Sequence, residues 1–502
     1  MTKKSILRLL QASLMCCLAV LFTACDDVFG NEDNPMSAYL SMSDKPVTIK
    51  AGDTYRRKAV SVTSAVVEYS SSDTNVATVD GEGVLTAIAE GTATITATAT
   101  GYSSQNGKKI YQPASVSYVV TVVSATVPAT SLTLNKTMEV LAKNGDALTI
   151  TATVTPSDAT FTWESSDANV ATVENGVVTP VGAGIATITA KSGDVKATCE
   201  VFVGNPVDLG ASAYEAKNYD ILKGNMGANS LTIPAGFKVA FDGLATTGGI
   251  TCNGDATIVL IKETENTISA ATTAIQAGPA NTTLTLSGEG TLNATSSGFS
   301  YACIGSQRQG AAGNIVIKGG IINATAAGYA AAIGAGNGGS CQDITIQGGT
   351  VTARSGDYGV GIGTGANGWG ATACRDITIT GGIVNAYGGQ FGAGIGTGGA
   401  NSYNYAINCH DITITGGTVN ANGGQYGAGI GTGVRIYNNG PCPTCGDIII
   451  SGGTITATKG SNATWDVGPG FLNYSAVSGT VSVTVTVKDK NGNDASIYGV
   501  AP

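Results

Sequence analysis

Through much of the second half of the chain, apolar and polar residues alternate in short runs broken by glycine. The clearest run is Ile344 to Gly365, ITIQGGTVTARSGDYGVGIGTG. It returns as ITITGGIVNAYGGQFGAGIGTG from Ile377 and ITITGGTVNANGGQYGAGIGTG from Ile412. A looser copy, IVIKGGIINATAAGYAAAIGAG, starts at Ile315, and a degenerate one, IIISGGTITATKG, at Ile448. The starts lie 29, 33, 35 and 36 residues apart. The spacing of about 3.6 residues that marks an amphipathic helix is missing. Each copy reads as an alternating strand, a Gly-Gly corner, a second alternating strand, another glycine corner and a third glycine-rich strand. One such unit cannot bury its apolar face alone, so copies must stack. The prediction is a right-handed parallel β-helix, each rung about 4.8 Å above the last.

Parity assigns the faces. In Ile377-Thr378-Ile379-Thr380 the isoleucines point inward and the threonines outward. Stacking then predicts an inner ladder of Ile344, Ile377 and Ile412 and an outer one of Thr345, Thr378 and Thr413. β-Branched residues suit both faces of a strand. Gly-Gly at 348–349, 381–382, 416–417 and 452–453 predicts corners where φ is positive or a side chain would clash.

A different alternation precedes the repeats. Two similar stretches run from Glu68 to Val79, EYSSSDTNVATV, and from Thr162 to Val173, TWESSDANVATV. Each continues into a second common text, GVLTAIAEGTATITA or GVVTPVGAGIATITA. Short strands separated by turn residues over about 80 residues predict a β-sandwich. Both stretches closely resemble the bacterial Ig-like group 2 family. The resemblance covers 45–124 and 125–205 and implies two Ig-like domains, a type that commonly forms the stalk of surface adhesins. Tyr69 and Trp163 hold equivalent positions and are expected to plug the two cores. Between 206 and 283, Ser230–Gly236, Ala256–Leu260 and Thr283–Gly288 keep a strand–corner rhythm and read as early, divergent coils. Pro206 to Gly227 is expected to close the start of the solenoid, and 481–502 its far end, leaving 206–480 for the β-helix. The whole is an all-β chain.

Residues 1–24 read as a targeting segment: Lys3, Lys4 and Arg8 precede a largely apolar run from Leu9 to Ala24. Its end, Leu21-Phe22-Thr23-Ala24-Cys25, resembles the lipobox of bacterial lipoproteins, with Phe22 in place of the more usual Leu. The resemblance implies cleavage before Cys25, lipid attachment there and a membrane anchor. Asp26-Asp27 and Glu32-Asp33 resemble the surface-export signal of Bacteroidota lipoproteins, which implies a lipid-anchored outer-membrane protein exposed at the cell surface. Residues 25–44 read as the tether. Composition agrees with a secreted β-rich protein: of 502 residues 71 are glycine, 12% are charged and the net charge is −9. Nucleic acid is excluded as a partner, since its binding needs clustered Lys and Arg.

Chemistry is sparse. The single histidine, His410, all but removes His-based catalysis and metal binding. Four copies carry Cys-x-Asp before the first strand: Cys341/Asp343, Cys374/Asp376, Cys409/Asp411 and Cys445/Asp447. Oxygen ligands suit Ca²⁺. Asn314 at the matching place keeps an acceptor and loses the charge, which favours turn capping over a metal. The cysteines fall about one rung apart, within disulfide reach, so a disulfide ladder and a stack of buried thiols both stand. Cys442 and Cys445 form a C-x-x-C outside any redox context. Tyr329, Tyr358, Phe391 and Tyr426 form an aromatic ladder, read as an internal or corner stack in preference to a sugar platform.

The segments after each Ile-Gly-x-Gly change in length and content, and insertions in a solenoid project from one side. They carry Trp369, Tyr403, Tyr405 and Tyr437 with several Asn, residues suited to the apolar face and hydroxyls of a sugar. β-Helices also host polysaccharide lyases and hydrolases. Hydrolysis needs paired carboxylates, yet Asp357 and Asp466 are isolated and Arg354, Arg375 and Arg435 fall at different places in their coils. No catalytic residue, cofactor or metal is assigned. The GG-x-V-x-A-x-GG…GAGIG-x-G text resembles glycine-rich β-helix repeats of gut bacterial surface proteins, usually adhesin-like or carbohydrate-binding. The expected function is adhesion to a glycan or a host or matrix ligand through the β-helix. A polysaccharide-degrading enzyme and a purely structural spacer are the competing readings.

Overall fold

A computed structural model of the chain describes residues 36–37, 40–61, 66–100, 111–124, 127–368, 370–402, 404–435, 442–468 and 485–487. The chain divides into two compact units, Met1–Pro128 and Ala129–Pro502. All regular structure among the described residues is β.

In the first unit a sheet ordered Val47–Lys50, Ala114–Val123, Gly91–Ala99, Val67–Ser71 packs on one ordered Thr54–Arg56, Val84–Ala87, Ala77–Val79. Alternation builds the core: Ala93, Ile95 and Ala97 point inward with Tyr118, Val120 and Val122 from the neighbouring strand. Tyr69 does not fill this core as expected. It is half-buried at the rim, and its hydroxyl accepts the Ala59 N–H at 2.7 Å. Tyr118 is the fully buried ring. In the second sandwich Trp163 is likewise half-buried, against a core of Ile150, Val178, Ile188 and Val201.

The second unit contains that sandwich and the solenoid, and one strand belongs to both. Val195–Leu209 pairs antiparallel with Gly184–Ser192 and parallel with Met138–Ala142 inside the sandwich. Its last five residues, from Asn205, pair parallel with Asp220–Gly224 of the next coil. The expected division at 205/206 therefore falls within a continuous strand. Gly204 stands at the crossing: a Cβ there would lie 2.5 Å from the Tyr219 carbonyl oxygen and 2.7 Å from Ile221. Phe202, Ile221, Ala240 and Val259 form a separate buried cluster against Met138, Val140, Ile185 and Tyr219. Pro206 to Gly227 is consequently a regular first coil and not a closing segment. The sandwich already covers that end, so the backbone there has partners to pair with.

From this junction the parallel strands stack in register. Ile344↔Ile377, Ile377↔Ile412 and Ile412↔Ile448 are direct partners, and all four side chains are buried. Thr345, Thr378 and Thr413 face outward, half-exposed, as parity predicts. The second glycine of each corner has positive φ: 79° at Gly349, 79° at Gly382, 85° at Gly417 and 89° at Gly453. The divergent stretches are coils too: Ala256–Leu260 lies between Phe237–Thr246 and Thr283–Gly288 in the same sheet. One apolar core runs from Leu209 to Val467. The later coils have a fourth strand beyond the expected three: the Cys-bearing segments Ser340–Cys341, Thr372–Cys374, Ile407–Cys409 and Thr444–Cys445 form a sheet of their own. At the C-terminal end, Val485–Val487 adds a parallel strand on Ile448–Ile450. The remainder of the expected cap lies outside the described residues.

Candidate functional site

The aspartate ladder follows directly from the stacking. Asp343 Oδ1 accepts the Asp376 N–H at 3.4 Å, Asp376 Oδ1 accepts that of Asp411 at 3.3 Å, and Asp411 Oδ1 that of Asp447 at 2.8 Å. Asn314 Oδ1 begins the series by accepting the Asp343 N–H at 3.1 Å. Each side chain thus caps the turn of the next coil, a role that an amide oxygen performs as well as a carboxylate. Two of the residues that precede these aspartates reach back one rung: Arg375 lies 3.6 Å from Asp343, and His410 Nδ1 4.0 Å from Asp376, both in exposed pairs. No group of three or more His, Cys, Asp or Glu among the described residues could hold a metal ion.

The cysteine ladder is internal. Cys341↔Cys374, Cys374↔Cys409 and Cys409↔Cys445 are in-register neighbours, and all four side chains are buried. None of the described cysteines is in a disulfide. Cys252 and Cys303 are also buried, and loss of hydration pushes both thiols up to about 12.

The aromatic ladder stands at a corner. Ring centroids are 4.7 Å apart for Tyr329–Tyr358, 4.5 Å for Tyr358–Phe391 and 5.3 Å for Phe391–Tyr426, with planes within 21° of parallel. The rings are half-buried and outside the main core. Their faces cover one another, so the interior of the stack offers a sugar only ring edges.

The loop side has an amide scaffold that the sequence did not reveal. Asn367 is fully buried; its Oδ1 accepts the Asn401 N–H at 2.9 Å and its Nδ2 donates to the Tyr405 carbonyl oxygen. Asn337, 1% exposed, lies one coil below, with neither amide atom hydrogen-bonded among the described residues. Tyr405 itself is 42% exposed. Of the other expected binding residues, Trp369, Tyr403 and Tyr437 lie outside the described residues, as does Cys25. The isolated acids stay apart. Asp357 is exposed in a turn, Asp466 Oδ1 accepts the Lys459 N–H at 3.0 Å, and the Arg354 guanidinium lies 3.7 Å over the Tyr387 ring.

Fold and sequence comparisons agree on the class: two bacterial Ig-like domains followed by a parallel β-helix. The model of the bacterial Ig-like domain (group 2) matches residues 40–109 and 128–201. That of the β-helix repeat matches 344–366, 377–399, 412–434 and 448–470. An uncharacterized protein of Clostridium acetobutylicum is 36% identical over 146 residues, 28% of this chain. The chain spans only 14% of that relative's length. Among solved structures, mouse cadherin-23 EC22-24 matches at 17% identity over 35% of this chain and 65% of its own, with a TM-score of 0.19. Domains 5-6 of the S-layer protein SbsC match at 20% identity over 34% of this chain and 99% of theirs, with a TM-score of 0.15. Likenesses of that size bear on neither ligand nor activity.

Proposed function

We propose that this chain is a cell-surface, adhesin-like lipoprotein. Lipid at Cys25 anchors it in the outer membrane, the Ig-like domains serve as stalk, and the loop side of the β-helix binds a glycan or a host or matrix ligand. The combination of bacterial Ig-like domains with β-helix repeats supports the coarser reading, a surface or adhesion-type protein. The observation that carries the finer one is the contrast between a fixed scaffold and changing loops. Coils repeat in register, while the segments after Ile-Gly-x-Gly differ from coil to coil. Rigid presentation of variable loops is how scaffolds commonly carry binding sites. Asn367 ties the segment bearing Tyr405 to the coil below, and Tyr405 is exposed. Many copies on one cell make weak sites sufficient.

The reading is non-catalytic. The repeated carboxylates hold backbone N–H groups of neighbouring coils, a structural role that accounts for their spacing. The test is a glycan and host-matrix array probed with the full chain. Binding is expected, with at least a tenfold loss when Trp369, Tyr403, Tyr405 and Tyr437 are changed together to Ala. Unchanged binding would overturn the site; release of soluble oligosaccharide would favour the enzyme; no binding at all would favour a spacer. Anchoring is checked separately by palmitate labelling, which Cys25→Ala should abolish.

A further inference from the structure

We propose that the four stacked cysteines close two disulfides, Cys341–Cys374 and Cys409–Cys445, each clamping one coil to the next, with no bond between Cys374 and Cys409. Backbone register alone does not choose among neighbours. All three adjacent pairs are direct partners on parallel strands, about 4.8 Å apart and so within the Cα separation a disulfide accepts. The side chains choose. Cys341 Sγ and Cys374 Sγ lie 2.7 Å apart, closer than two unbonded sulfurs pack. With Cys341 and Cys374 joined, Cys445 is the in-register neighbour left to Cys409. Cys374 turns its thiol toward the Gln342 carbonyl at 3.5 Å, and Cys445 turns toward that of His410 at 3.6 Å. Counting agrees: a central Cys374–Cys409 bond would leave Cys341 and Cys445 two rungs or more from any free partner in the ladder. Each proposed bond closes a loop of a single coil, 33 residues for the first. Closing it removes freedom from the unfolded chain and stabilises the stacked state.

The chemistry needs an oxidant, and a low-molecular-weight disulfide suffices. One cysteine thiolate attacks it, forming a mixed disulfide and releasing one small thiolate. The second cysteine, after losing its proton, displaces the other small thiolate. Two S–H bonds are lost, one S–S bond forms, and the small disulfide is reduced to two thiols. Burial and the neighbouring thiol hold the Cys374 and Cys409 thiols above their ordinary range, so reaction is fastest while coils are still stacking. In the cell this oxidation rests on the export proposed above; in a redox buffer it does not, so the two ideas fail separately.

The sequence makes the map simple. Tryptic cleavage after Lys318, Arg354, Arg375, Arg435 and Lys459 puts Cys341, Cys374 and Cys409 in separate peptides, and Cys442 with Cys445 in a fourth. The reduced full chain is refolded in a glutathione redox buffer, free thiols are blocked, and linked peptides are identified by mass spectrometry. Protein secreted into an oxidising periplasm and never unfolded is mapped in parallel, so that failed refolding does not decide the result. Expected links are Cys341 to Cys374, and Cys409 to the fourth peptide, the latter persisting in Cys442→Ser. Cys374→Ser should free Cys341 and leave the second link intact. Reduction should lower the melting temperature of the β-helix by several degrees. A Cys374–Cys409 link, a Cys442–Cys445 link, or four free thiols in both preparations would overturn the proposal.

Discussion

The two Ig-like domains share a sequence motif and a strand plan, yet the outer faces of their matching sheets differ in one row. In the first domain the row is Thr48, Thr121 and Thr92, direct partners across three strands. The matching row in the second is Val140, Phe202 and Ile185. Thr48 and Thr92 are exposed and Thr121 half-exposed, whereas Phe202 is fully buried. The three apolar residues pack against the first coils of the solenoid with Ile221, Ala240 and Val259. The strand bearing Thr121 ends at Val123, while that bearing Phe202 runs on to Leu209 as a rung of the β-helix. The same framework is thus a self-contained sandwich when its outer row is threonine. It becomes the end-piece of a solenoid when that row is apolar and the last strand is extended. A solenoid end needs such a cover, because its terminal coil otherwise exposes apolar side chains and unpaired backbone groups.

The contrast can be broken at three strengths. The largest effect is expected inside the solenoid. Ile379→Asp places an unpaired charge in the apolar core, costs several kcal/mol and opens the neighbouring coils. Thermal melts of that variant should lose the β-helix transition, with the transition of the first sandwich unmoved; a wild-type melt would refute the strand parity. Next comes a reciprocal exchange. Phe202→Thr gives the second domain the residue of the first, and loss of a buried ring costs about 3–5 kcal/mol, read by chemical denaturation of the second unit. Thr121→Phe is its mirror and the smallest effect, a surface change within about 0.5 kcal/mol. Equal costs at the two positions would show that the outer rows are not differently employed.

Much of this fold was legible in the sequence, because in-register stacking turns every interior requirement into a repeat. Inner isoleucines, positive-φ corner glycines and the capping aspartates all recur, and Asn314 marked the capping role. Two features, the junction and an amide scaffold, were hidden for specific reasons. The junction is written in Val201-Phe202-Val203, three successive apolar residues where alternation calls for two, all of them fully buried. That run signals burial on both faces, but the likeness between the two sandwiches drew a boundary just beyond it. The aromatic ladder was legible as a corner stack: the strand ends at Ser355, and Asp357, with φ 22°, turns the chain just before Tyr358. The amide scaffold was masked by changing offsets. Asn337, Asn367 and Asn401 follow Ile333, Ile362 and Ile395 by 4, 5 and 6 residues, so no fixed spacing aligns them. Ligand identity is less legible still, since residue types in a loop do not set its shape.

The central claim is that the second sandwich and the β-helix are one folding unit joined through Val195–Leu209. Native-state hydrogen exchange of the full chain, followed by mass spectrometry across rising denaturant, tests it most directly. The account predicts that peptides from 138–204 and from 220–260 lose protection together, at a denaturant concentration distinct from that opening 67–123. Exchange of 138–204 while 220–260 remains protected would contradict it.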